Sequence, residues 1–194
     1  MSIHSIEPGL LLAAPRLGDP NFEGTVVLLG AHEDGGSIGW TINGDRLAEG
    51  PEIVRATGLV AAGAPVPAVF ERPALSGGPV SPESVWIMYR RANGDELLPG
   101  SLAVGDEIAV TSSLEALRTL IDGGGPREVR LLIGHAGWGP GQLEREVSKG
   151  VWLPADADAD LLFDEATSTL WQRAYAQTIG TIPAAFVGTT RGSA

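Results

Sequence analysis

The sequence reads as an α+β protein, and three observations lead there. Apolar or β-branched runs and amphipathic helical stretches are interspersed without the regular strand–helix–strand alternation of a doubly wound parallel sheet. Gly and Pro fill 41 of 194 positions, enough to punctuate many short elements yet below the roughly 25–30% that marks a low-complexity chain. A chain of 20.1 kDa buries about 70% of its unfolded surface, so one sizeable core and a single domain over 1–194 are expected.

Taken in order, Gly9–Ala14, Thr25–His32 and Gly36–Asn43 are strand candidates separated by Gly, Pro, Asn and Asp. Thr25 to Leu29 is apolar without alternation, which predicts burial on both faces. The separator Glu33-Asp34-Gly35 holds Asp-Gly, a hairpin signal, so the second and third runs are expected to pair. Pro51 at a helix start, with Ile53, Val54 and the small residues to Ala62, predicts a modest helix or two short turns, interrupted by Gly58 and Gly63. Strands are expected at Ala68–Phe70, Ala74–Ser76, Ser84–Arg90, Ser101–Thr111 with a turn at Gly105-Asp106, and Glu128–Ala136. Ser112 to Glu115 offers a capping box for a helix over 113–122, stopped by Gly123-Gly124-Gly125-Pro126. Gly141–Lys149 predicts a short charged helix with Leu143 and Val147 four apart. The segment 151–165, with five acids and no base, reads as a solvated acidic loop. From Glu165 to Ile179, Leu170, Trp171, Ala174, Tyr175 and Ile179 line one side of a helix ended by Gly180 and Pro183, and Thr189–Ala194 should fray.

Composition excludes several functions. Zero Cys removes disulfides, thiolate metal sites and Cys nucleophiles. A net charge of −11, with basic residues scattered among acids, disfavours direct binding to duplex DNA. No run suits a membrane span or a secretory signal, so a soluble, cytoplasmic, monomeric chain is expected. The single Lys149 cannot build a phosphate-binding P-loop or a Schiff base, the Gly137/Gly139/Gly141 alternation lacks the third glycine of a dinucleotide fingerprint, and Ser76 is not in a nucleophile elbow. Asp156, Asp158 and Asp160 begin like a calcium loop, but Leu161 and Thr167 stand where Gly and Glu are required. His4, His32 and His135 show no metal-binding spacing. No cofactor or metal is expected.

Two Gly-rich motifs remain. In Ser76-Gly77-Gly78-Pro79-Val80 a glycine pair before proline sets an unusual turn whose backbone N–H groups could bind an anion or the neighbouring strand. In Gly134-His135-Ala136-Gly137-Trp138-Gly139-Pro140-Gly141-Gln142-Leu143-Glu144 a strand passes through a turn into a helix start, where Trp138 either stacks on a ligand or locks the turn onto the core. The candidate binding residues are therefore His32, Asn43, Ser76, Gly77, Gly78, His135, Trp138 and Gln142, each at a strand end or glycine-rich turn. The two turns are expected to lie in contact. Ser76 with His135 and an acid would make a hydrolase triad, the enzymatic alternative, with His32 as another possible base.

These strings resemble those of the YqgE/AlgH family of bacterial proteins. The resemblance spans nearly the whole chain: Pro15-Arg16-Leu17-Gly18-Asp19-Pro20-Asn21-Phe22, His32 to Asn43, Gly77 to Val80, Gly134 to Glu144, and Leu170-Trp171 with Gly180. It implies a mixed sheet closed or nearly closed into a small β-barrel flanked by helices, no established catalytic residues, and a family label of regulator of alginate production or transcription. Gly44-Asp45 stand where the family usually has a basic residue and Pro, and Tyr89 occupies a position that is often His, so any cationic or imidazole site of relatives is weakened here. The expected function is that of a non-enzymatic binding or regulatory protein for an unidentified small molecule or protein partner. The alternatives are a small hydrolase and a direct nucleic-acid binder.

Overall fold

The computed structural model describes residues 6–15, 24–92, 94–164 and 166–180. His4, the string from Arg16 to Phe22, Pro183 and the terminal Thr189–Ala194 lie outside them. Strands β1 (Gly9–Ala13), β2 (Val26–Glu33) and β3 (Gly36–Thr41) form an antiparallel unit, joined between β2 and β3 by the tight Asp34-Gly35 turn. The short β4 (Arg46–Ala48) leads into helix α1 (Gly50–Ala56), and β5 (Ala74–Ser76) pairs back with β4. Then come β6 (Val80–Arg90), β7 (Leu102–Val104), β8 (Ile108–Thr111), α2 (Leu114–Ile121), β9 (Val129–Trp138), α3 (Gln142–Ser148), β10 (Trp152–Ala155), α4 (Ala159–Asp164) and α5 (Thr167–Ile179).

Hydrogen bonding runs in the order β10-β1-β2-β3-β9-β6-β8-β7, with β4 and β5 attached through a parallel β5–β9 pair. The sheet is thus mixed, and it curls into a half-barrel. Its curvature brings Leu102 of β7 against Gly30 of β2, where Trp40 also packs so closely that a methyl group at Gly30 would overlap its ring. Alternation along β2 divides the core as the unbroken apolar run requires. Val26 and Leu28 join the inner cluster with Trp40, Met88, Leu132 and the helices α4 and α5. Val27 and Leu29 join an outer cluster with Trp138, Leu143 and Trp152. A third cluster places α1 and α2 over Ile87, Tyr89, Val129 and Leu131.

Three expectations are corrected. Ala68–Phe70 is a 3-10 turn rather than a strand, because Pro67 starts it and Phe70 N–H returns to the Pro67 carbonyl at 3.1 Å. The acidic stretch 151–165 is not a solvated loop. It holds β10 and α4, with Leu161, Leu162 and Phe163 buried and the Asp158 carboxylate accepting from Leu161 N–H at 3.1 Å. Asp156, Asp158 and Asp160 face water while the apolar residues between and after them turn inward. The α2 cap is Ser113, not Ser112, accepting from Glu115 and Ala116 N–H, so Glu115 sits too early to close a box. The first helix ends at Ala56, with Gly58 at positive φ just beyond it, where the interruption was expected.

Candidate functional site

The two glycine-rich motifs meet on β9. This strand is flanked by β6 on one edge, while its other edge passes from β5 (Leu75↔Leu132, Ser76↔Ile133) to β3 (Gly39↔Ala136, Ser37↔Trp138). Gly77 sits where the partners change: its N–H donates to Ile133 O at 2.7 Å and its carbonyl accepts from Thr41 N–H at 2.8 Å. The Gly77 N–H is therefore committed to the neighbouring strand, one of the two roles open to it in the sequence, and is not left for an anion. At the same level Gly134 turns through φ +71°, and a Cβ there would overlap the Gly78 carbonyl. Gly78, at φ +143°, lies equally close to the His135 backbone. The Ser76–Gly78 turn is thus in direct contact with β9 at Gly134 to Ala136; His135 to Trp138, expected as a turn, continues the strand.

Opposite this crossing β6 loses its ladder. Val80 faces His135 and Val85 faces Ile133, five steps along β6 against two along β9, so 81–84 bulge from the sheet. Ser81 there adopts φ +48°, the one positive-φ residue other than glycine among the described residues. Backbone strain of this kind is held where packing over-determines it and clusters at functional sites.

Register places the candidate side chains on two faces of β9. His135 contacts the Trp86 ring edge-on with centroids 5.9 Å apart, and Trp86 opposes Leu132 and packs on the inner cluster. His135 therefore points inward. Ser76 opposes Ile133, which packs on the α1–α2 cluster, so Ser76 points the other way.

Trp138, Ser37 and His32 are directly paired across β9, β3 and β2, and so share the outer face. There the Glu146 carboxylate takes three donors: Trp138 Nε1 at 2.9 Å and Trp152 Nε1 at 2.8 Å on Oε2, and Gln142 Nε2 at 2.8 Å on Oε1. Gln142 Oε1 accepts the Gly139 N–H at 3.1 Å, and the two indoles meet edge to face at 6.1 Å. A carboxylate with several donors is an anchor already satisfied, so this arrangement clasps α3 to β9 and β10. Its second attachment is His32, whose Nδ1 meets Ser37 Oγ at 2.7 Å and whose Nε2 lies 3.7 Å from Glu144.

Asn43 is also spoken for. Its Oδ1 accepts from Val26 N–H at 2.8 Å and its Nδ2 donates to Gly24 O at 2.7 Å, tying the end of β3 to the start of β2. Tyr89 is buried, its hydroxyl donating to Ser101 Oγ at 2.8 Å and accepting Leu98 N–H at 3.0 Å. A groove of about 570 Å³ at the ends of β6 and β9 contains none of the candidate residues. Its Arg90 pairs with Glu128 and Asp160, and its Arg91 Nε donates to Asp106 O at 2.8 Å.

Three residues of the site were not anticipated. Glu146 was legible in principle, four residues after Gln142 on one helix face. Trp40 and Trp86 carried no such signal, because each reads as an ordinary apolar strand position and they meet only through the β3–β9–β6 order.

A family model described as AlgH-like (DUF179) matches residues 10–183. A UPF0301 protein of Anaeromyxobacter dehalogenans is 38% identical over 189 residues, covering 94% of this chain and 92% of its own length. A UPF0301 protein of Xanthomonas campestris is 36% identical over 165 residues, covering 85% of each. The solution structure of the AlgH protein from Pseudomonas aeruginosa superimposes with a TM-score of 0.73 at 28% identity, over 100% of this chain and 98% of that one. A Corynebacterium diphtheriae protein of known crystal structure shares the fold, with a TM-score of 0.71 at 21% identity.

Proposed function

The chain belongs to the AlgH-like family, and on that premise we propose that it is a non-enzymatic binding protein with an indirect regulatory role, recognising a small molecule or a partner protein. The observation that carries this reading is the placement of Ser76 and His135 on opposite faces of β9. A serine nucleophile needs its base within hydrogen-bond reach, and these two are separated by the sheet itself. His32 is no better placed as a base for Ser76, because register sets it level with Trp138, five residues along β9 from the Ile133 that Ser76 opposes. Direct regulation through duplex DNA is disfavoured by the net charge of −11, which opposes the counterion release that drives such binding.

The test has two arms. A serine-reactive fluorophosphonate is expected to leave Ser76 unmodified, and a thermal-shift screen of metabolites is expected to find a stabilising compound. At a hundredfold excess over its dissociation constant that compound adds about 2.7 kcal/mol, a rise in Tm of roughly 5–10 °C for a chain of this size. Labelling at Ser76 that disappears in Ser76→Ala would overturn the reading in favour of the hydrolase.

A further inference from the structure

Trp40, Trp86 and His135 form one continuous aromatic row. The indole centroids are 4.9 Å apart at an interplanar angle of 58°, and the imidazole follows Trp86 at 5.9 Å and 70°. Trp40 Nε1, Trp86 Nε1 and His135 Nδ1 are each buried without a hydrogen-bond partner from the protein. Buried polar groups in native proteins are nearly always paired, and an unpaired one calls for an explanation. Three in consecutive contacting rings call for a common one. An indole N–H can only donate, whereas Nδ1 can donate or accept, so the row asks above all for an acceptor.

The row also has a direction. Trp40 is wholly buried, while Trp86 and His135 are half-buried. The half-buried end runs through Trp86 to His135, which lies beside the β6 bulge, where Ser81 is strained and Val80 lies open to solvent. The deep end is apolar, with Trp40 in the inner cluster beside Leu28, Ile42 and Met88 and its ring close against Gly30.

Resting on the binding-protein reading above, we propose that this row is the binding site for a small monocarboxylate. Its oxygens accept from the indole N–H groups of Trp40 and Trp86 and meet the His135 imidazole, with the apolar end of the ligand against the inner cluster. A single charge suits the site. The row contains no Lys or Arg, and Arg130, on the same face beyond Leu132, donates to Phe163 O at 3.2 Å. A dianion would be buried at much greater cost.

The probe is sodium acetate titrated into the intact, 15N-labelled protein, read on its five indole N–H signals, with chloride at matched ionic strength as the control. The Trp40 and Trp86 signals are expected to shift together and saturably, with a dissociation constant of about 1 mM, as suits so small a ligand. Trp86→Phe keeps an aromatic ring, smaller than the indole, and removes one donor, and His135→Ala removes the imidazole. Each is expected to weaken acetate at least tenfold, while the signals of Trp138, Trp152 and Trp171 stay in place and report an intact fold.

The proposal is overturned if acetate up to about 100 mM, a hundredfold above that constant, leaves Trp40 and Trp86 unmoved. It is equally overturned if both variants bind as the parent does, or if both indole protons show cross-relaxation to a long-lived buried water that acetate does not displace. Such a result would leave the broader binding reading intact, since that reading stands or falls on Ser76 labelling and the metabolite screen.

Discussion

Trp138→Ala is expected to lower the unfolding free energy by about 3–5 kcal/mol, as other large buried residues do when cut to alanine. The ring is 8% exposed, packs on Leu143 and Trp152, and supplies one of the donors on Glu146. The loss is a large fraction of the roughly 5–15 kcal/mol that holds a typical domain together, and denaturant unfolding at matched m-values measures it. Trp138→Phe separates the two contributions. It keeps most of the apolar contact but strands part of the carboxylate, for a cost of about 1.5–3 kcal/mol. An unchanged midpoint in Trp138→Ala would move the ring from the clasp to the ligand-stacking role left open in the sequence.

The second large effect belongs to the strand crossing. Gly134→Ala must adopt φ +71° and force its Cβ into the Gly78 carbonyl, with the Val80 carbonyl 3.0 Å away. The left-handed conformation alone costs an L-residue about 1–2 kcal/mol. Adding the backbone clash, the expected loss is about 3–5 kcal/mol, with misfolding as its extreme form. Gly123→Ala is the control, at φ +82° with nothing within 4 Å of the added methyl. It should cost about 1–2 kcal/mol. Equal losses in thermal unfolding of the two variants would mean that the β5–β9–β6 crossing is looser than its close approaches indicate.

The parts of the fold that were readable from sequence are those fixed by local chemistry. The Asp34-Gly35 turn, the unbroken apolar run of β2, the α2 stripe and the α5 stripe from Leu170 to Tyr175 are each set within a few residues, whereas Ile179, expected on that last stripe, is exposed. Segment 151–165 was misread because its five acids outweighed the consecutive Leu161, Leu162 and Phe163, whose burial depends on a half-barrel assembled from distant strands. The barrel topology followed from family resemblance and not from periodicity, since pairing order leaves no local mark.

The candidate site divides in the same way. The meeting of the two glycine-rich motifs was an expectation that rested on the compact barrel implied by the family resemblance, since nothing local in either string brings them together. The assignment of His135 to the inner face and Trp138 to the outer face depends on one glycine-driven irregularity at Gly134. Without it, residues three apart on a strand would also face opposite ways, but His135 would not be set beside Trp86 at the mouth of the bulge. The Gly-Trp-Gly-Pro-Gly-Gln-Leu-Glu string, the most recognisable in the chain, accordingly serves to hold α3 in place through Glu146, and the unpaired donors lie behind it.

That separation is the central claim, and the indole N–H spectrum of Glu146→Ala tests it most directly. Trp138 and Trp152 lose the acceptor they share, Trp171 keeps its bond to Ala13 O at 2.9 Å, and Trp40 and Trp86 never had a protein acceptor. Two signals are expected to move upfield, those of Trp138 and Trp152, with the other three unchanged. Movement of Trp40 and Trp86 alongside them, or no movement of Trp138 and Trp152, would contradict the division of the site across the two faces of β9.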